Sequence, residues 1–184
     1  MANWKENRRL AAIVLAVAVL LGVFGIGGMK ARGVARNLQD DYAGIIAGDL
    51  ALRAAAAQSI VEVGAAALGE NAASVQSARK ALQKLEAAGG PAAAYAANAE
   101  LTASIGMLYE ETRKAVGDEK GGVLQTQWSE FLSRGDIIDR AAPAYNEQAR
   151  AAQKKLSGFP ASLVSALAGA RVEQFSAESH PSEA

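Results

Sequence analysis

"LQTQWSEFLSRGDIIDRAAPAYNEQARAAQKKL", Leu124 to Leu156, carries the longest regular pattern in the chain. Leu124, Trp128, Phe131, Ile138, Ala142, Tyr145, Ala149, Ala152 and Leu156 keep three-and-four spacing, which places them on one face of a single long helix. Pro143 removes a backbone donor and clashes with the carbonyl of Asp139, so a kink or short break is expected near Asp139 to Pro143, with Gly135 softening the same region. Gly158-Phe159-Pro160 predicts the stop: the glycine accepts a left-handed cap and the proline blocks continuation. Ala161 to Leu167 then begins a short final helix.

The same spacing extends upstream. Tyr42, Ile46, Leu50, Ala57, Val61, Gly64 and Leu68 recur at helical intervals with no strong breaker between Arg36 and Leu68, and Gly69 opens a short break. Val75, Ala78, Leu82 and Leu85 form a second, shorter pattern that Gly89-Gly90-Pro91 ends, with the two glycines free to take positive φ. Pro91 suits the first turn of a third helix, on which Leu101, Ile105, Leu108 and Ala115 share a face as far as Gly117. "GDEKGG", Gly117 to Gly122, reads as a polar loop. Alanine dominates the 184 residues and β-branched residues are sparse outside the N-terminal segment, so helix propensity is high almost throughout. The fold class is all-α: a single N-terminal transmembrane helix followed by an antiparallel bundle of about four helices.

The N-terminal segment is of a different kind. Leu10 to Met29 reads "LAAIVLAVAVLLGVFGIGGM", twenty residues without a charge, which as a helix is roughly 30 Å long and matches a bilayer core. Trp4, Lys5, Arg8 and Arg9 precede it and Lys30, Arg32 and Arg36 follow it, as anchors at headgroup level. With three basic residues on each flank, the positive-inside rule chooses no orientation. A cleaved signal peptide would have a shorter apolar core, and Met29-Lys30-Ala31-Arg32 is a poor cleavage site. A soluble core helix of this length would show a polar stripe. The segment is therefore read as a retained, single-pass anchor whose partner is the lipid bilayer. Ala12/Ala16 and Ala18/Gly22 have the small-xxx-small spacing that admits a homo-oligomer. The expected organisation is a basic tail at 1–9, the span at 10–29, a helical domain at 30–176 and a disordered tail at 177–184.

Charge and chemistry exclude several function classes. Residues 1–36 hold six Lys/Arg and one Glu, which leaves thirteen basic and eighteen acidic side chains for the rest of a chain of zero net charge. No clustered basic face exists in that acidic remainder, so nucleic acid is not an expected partner. Cysteine is absent, which removes disulfides, thiolate metal sites and thiol nucleophiles. The one histidine, His180, lies in the polar tail, so a histidine-based triad or multi-histidine metal site is ruled out. Asp136 and Asp139 would share a helix face, but no Glu-x-x-His pattern accompanies them. "GVFGIGG", Gly22 to Gly28, lies inside the apolar run and is not a phosphate loop. No catalytic residue, metal or cofactor is expected, and the protein reads as a non-enzyme.

Tyr145-Asn146, the thirteen-residue step to Phe159-Pro160, Gly169 ten residues beyond Phe159 and Phe175 six beyond that resemble the C-terminal signature of the LemA family. Upstream, Leu50, Arg53 and Ile60-Val61-Glu62 fall where that family has its leucine, arginine and Leu-Val-Glu, and Leu101, Ile105 and Leu108 resemble its mid-chain leucine ladder. The likeness spans most of residues 40–176 and is that of a divergent member. Gln58-Ser59, Ala152-Gln153, Gly169-Ala170 and Phe175-Ser176 stand where the family has Pro-Asn, a second Tyr-Asn, Gly-Phe and Tyr-Phe. The resemblance implies a bacterial membrane protein with a helical domain and a scaffold role.

Chemistry gives the signature residues structural work. Tyr145 can bury its ring and satisfy its hydroxyl at the bundle edge, and Asn146 can bond to the backbone of a neighbouring helix or loop. Phe159 and Pro160 would stop the helix and turn the last one back. Two functions follow as expectations: a membrane-anchored scaffold or adaptor that engages another membrane or envelope protein, and a sensor or ligand-binding four-helix module acting through a partner.

Overall fold

The computed structural model of the chain describes residues 15, 27–117, 122–158 and 161–176. Among these the structure is helical with no strand: α1 Gly27–Tyr42, a π-helical turn Ala43–Ala47, α2 Gly48–Leu68, α3 Ala73–Glu86, α4 Pro91–Val116, α5 Gly122–Ser157 and α6 Ala161–Ala168. Most of the expected span at 10–29, most of the 117–122 loop, Phe159-Pro160 and the tail at 177–184 lie outside the described residues. The helical run Gly27–Leu68, near the N-terminus, is long and apolar enough to cross a membrane by length and composition.

Two compact units divide the described chain. One is formed by residues 27–39 and 149–172, the other by 40–148 and 173–176, so α1 and α5 each contribute to both.

In the larger unit, α2, α3 and α4 pack on one another. The links between them, at 69–72 and 87–90, are short enough to set consecutive helices side by side. The predicted apolar faces form the core. Ile46, Leu50, Ala57 and Val61, Val75, Ala78 and Leu82 of α3, and Leu101, Ile105 and Leu108 of α4 are all buried. Burying each of the larger side chains contributes about 1.5–3 kcal/mol, and the many alanines let the helix axes come close. Ala115, expected on the inner face, is instead exposed, because α4 ends one residue later and its last turn leaves the packed region.

α2 and α4 are in close contact at Gly64. A Cβ there would lie 2.7 Å from Leu108 Cδ1 and 3.1 Å from Thr112 Oγ1. The Thr112 hydroxyl is fully buried beside this contact and has no hydrogen-bond partner.

Three expectations about helix ends and breaks are corrected. α5 is one continuous helix through Pro143, so the short break does not form. Pro143 and Asp139 are both exposed, so the carbonyl that loses its donor faces solvent. Gly90 is extended, with φ −179°, and donates nothing left-handed to the end of α3. Gly158 does not have positive φ either; among the described residues the glycines that do are Gly69, Gly117 and Gly169.

The fold yields a paired expectation. Gly64→Val forces atoms into a closed contact and lowers stability by about 2 kcal/mol, whereas Gly106→Ala, in α4 with open space around it, raises it by up to about 1 kcal/mol. Chemical denaturation of the detergent-solubilised chain followed by circular dichroism checks both signs.

Candidate functional site

The signature residues fall into separate clusters, and the tightest surrounds Tyr145 and Asn146 in the larger unit. α5 turns Tyr145 inward until it is 1% exposed, and its hydroxyl donates to the carbonyl of Glu173 at 2.9 Å. Asn146, next along the helix, donates from Nδ2 to the Phe175 carbonyl at 3.0 Å and accepts from the Phe175 N–H on Oδ1 at 2.7 Å. This carboxamide satisfies both backbone groups of Phe175 and so holds the non-helical C-terminal segment against a helix.

The Phe175 ring completes an aromatic group. It is buried, meets Tyr95 of α4 edge-on at 5.3 Å and lies 6.3 Å from Tyr42, which lies 5.6 Å from Tyr145. Gly90 lies beside the Glu173 carboxylate: a Cβ there would be 2.6 Å from Oε2, a contact that the flexible, exposed side chain relieves by turning away. Burial, followed by the charges of Tyr42, Glu173 and Asp41, pushes the Tyr145 phenol up to about 12, so it stays neutral and donates its proton in a hydrogen bond.

Arg53 belongs to a second cluster. It projects from α2 into the interior, 5% exposed, and donates from Nε to the Phe131 carbonyl at 3.2 Å, from Nη1 to Asn98 Oδ1 at 2.6 Å and from Nη2 to Thr102 Oγ1 at 3.0 Å. The Thr102 hydroxyl in turn donates to the Asn98 carbonyl at 2.8 Å. The guanidinium carbon lies 4.2 Å from the centre of the Phe131 ring. Phe131 is stacked on Trp128, and Trp128 on Tyr109, whose hydroxyl donates to Gln125 Oε1 at 2.6 Å.

Gly135 makes room for this arrangement, because a Cβ there would come within 3.0 Å of Arg53 Nη2. Desolvation lowers the Arg53 pKa, and the nearby charges of Asp139 and Asp136 oppose that shift. Arg134, on the same helix as Phe131, adds a partly exposed tie to α2 through Asp49 at 2.9 Å and also pairs with Glu130 at 2.6 Å.

Gly169 serves the smaller unit. With φ at +65° it closes α6: its N–H reaches the Ala166 carbonyl at 3.3 Å and the Ala170 N–H reaches the Ser165 carbonyl at 2.9 Å, the paired bonds of a Schellman cap. Gln153 donates to the Val172 carbonyl at 3.2 Å.

No protein-family model, curated protein or solved structure matches this chain.

The structure thus unites Tyr145, Asn146 and Phe175, gives Arg53 and Gly169 partners of their own, and leaves Phe159 and Pro160 outside the described residues. Sequence reasoning missed Tyr95, Asn98, Thr102 and Phe131 as partners. Asn98 and Thr102, polar residues at four-residue spacing beside the apolar Leu101, Ile105 and Leu108 of α4, were the available signal. Among the described residues no group of three or more His, Asp or Glu side chains could hold a metal ion. An open cleft of about 340 Å³ lies against the π-helical turn, lined by Tyr42, Leu50, Leu85, Glu86 and several alanines.

Asn146→Ala removes both polar atoms that hold Phe175 and costs about 1–3 kcal/mol. The expected signature is local: faster amide exchange at 173–176 with protection of α2 to α4 unchanged, measured by hydrogen exchange and mass spectrometry.

Proposed function

We propose that this chain is a membrane-anchored helical scaffold or adaptor of the bacterial cell envelope, a divergent relative of LemA that works by binding another protein and not by catalysis. The observation that carries this reading is the use made of its polar residues. Arg53, Tyr145 and Asn146, the groups best suited to chemistry, spend their donors and acceptors on backbone and neighbouring side chains inside the fold. Such residues hold a surface in shape and leave recognition to the exposed faces of the helices. The uncharged run Leu10 to Met29 with basic residues on both sides supports the anchor, and the LemA resemblance supports an envelope location.

The cleft beside the π-helical turn supports a second reading, a ligand-binding or sensor module acting through a partner protein. Its Tyr42 and Glu86 offer a phenol and a carboxylate within apolar walls, suited to an apolar molecule with a cationic group.

Photocrosslinking groups at the exposed positions Leu52, Met107 and Leu132 test the scaffold reading in native membranes. The scaffold reading expects a discrete, reproducible protein adduct from at least one position. Adducts spread over abundant neighbours at all three positions would contradict it. A protein tag after Ala184, tested for protease cleavage in intact and permeabilised cells, fixes the side on which that partner is sought.

A further inference from the structure

In the smaller unit, α6 is eight residues long, carries no charge, and is apolar on two sides. Val164 and Ser165 face inward at 4% and 9% exposure, while Leu163 and Leu167, one turn apart, are 50% and 70% exposed beside exposed Ser162 and Ala166. A helix on a water-facing surface presents polar residues on its outer side, and this one presents leucine.

Its position explains the leucines. A Cβ on Gly27 would lie 3.3 Å from Val164 Cγ1, so α6 packs on the first turn of α1, where the apolar run Leu10 to Met29 ends. The charge carried by the described residues of this unit is of one sign. Residues 27–39 and 149–172 contain Lys30, Arg32, Arg36, Arg150, Lys154, Lys155 and Arg171, all exposed, and no Asp or Glu; residues 40–148 contain nine basic and fifteen acidic residues. A second copy docking through the same face would oppose like charges, whereas a layer of anionic lipid complements them.

We propose that α6 lies in the membrane interface, with Leu163 and Leu167 among the acyl chains of anionic lipids and Lys154, Lys155 and Arg171 at headgroup level. The inference rests on the reading of Leu10 to Met29 as a membrane span, and it adds a lipid-reading surface to that anchor. Amphipathic elements of this kind bind through combined apolar burial and attraction to anionic headgroups, so lipid composition would tune how this unit is held.

The absence of cysteine allows single spin labels to be placed at will. Leu167→Cys, Val19→Cys and Gln83→Cys are labelled in the full chain and reconstituted into phosphatidylcholine bilayers with or without phosphatidylglycerol. Collision with oxygen is then compared with collision with a water-soluble nickel chelate. The expected result is a lipid-like preference for oxygen at 167 and 19, the reverse at 83, and a shift of 167 toward water when Lys154→Gln and Lys155→Gln are combined or phosphatidylglycerol is omitted. A water-like label at 167 with a lipid-like label at 19 overturns the inference and leaves the span standing. A label at 167 shielded from both reagents also overturns it, in favour of protein contact. A water-like label at 19 removes the span, and the inference falls with it.

Discussion

A buried cation with no carboxylate in direct contact is expensive, and the larger unit is organised around making Arg53 affordable. Taking a guanidinium out of water costs several kcal/mol unless its donors are satisfied. Here the donors end on Phe131, Asn98 and Thr102, which belong to α5 and α4, while Arg53 itself belongs to α2. Three helices must therefore hold their relative positions for one side chain to remain solvated by protein. Gly135 on α5 and the face of Phe131 are consequences of that requirement: one provides space, the other a negative π surface. The carboxylates of Asp136 and Asp139 act at longer range and partly offset the desolvation.

The clamp at Asn146 applies the same economy at the C-terminal segment. A non-helical stretch beside a helix has backbone groups that nothing regular will pair, and one carboxamide pairs both groups of Phe175. Once the backbone is held, the Phe175 ring can enter between Tyr42 and Tyr95, and its burial stabilises the segment further. Both devices use chemistry-bearing side chains as mechanical parts. The proposed scaffold role would need faces of fixed shape, and these contacts fix them.

Much of this was legible in the sequence where the controlling signal is local. Helical spacing identified Ile46, Leu50, Val61, Leu101, Ile105, Leu108, Phe131 and Ile138 as inward-facing, because amphipathic period depends on neighbours three and four residues away. The kinds of bond expected of Tyr145 and Asn146 were also legible, since a buried phenol and an amide on a helix have few options. Their partners were not, because Glu173 and Phe175 lie 28 and 29 residues away and only the packed chain brings them back. Arg53 poses the harder case, with partners 45, 49 and 78 residues distant on two helices. The unbroken helix at Pro143 depended on which side of α5 faces solvent, a tertiary fact. The π-helical turn at Ala43–Ala47 left no periodic trace that a 3.6-residue spacing would notice.

The claim that Arg53 is a locked structural cation is tested most directly by nitrogen-15 NMR of its guanidinium in the full chain. The account predicts a resolved Arg53 Nε–H resonance that exchanges slowly with water and is shifted by the ring current of Phe131. A signal averaged with solvent-exposed arginines and exchanging at their rate would contradict it, and would mean that the centre of the bundle is open to water or ligand.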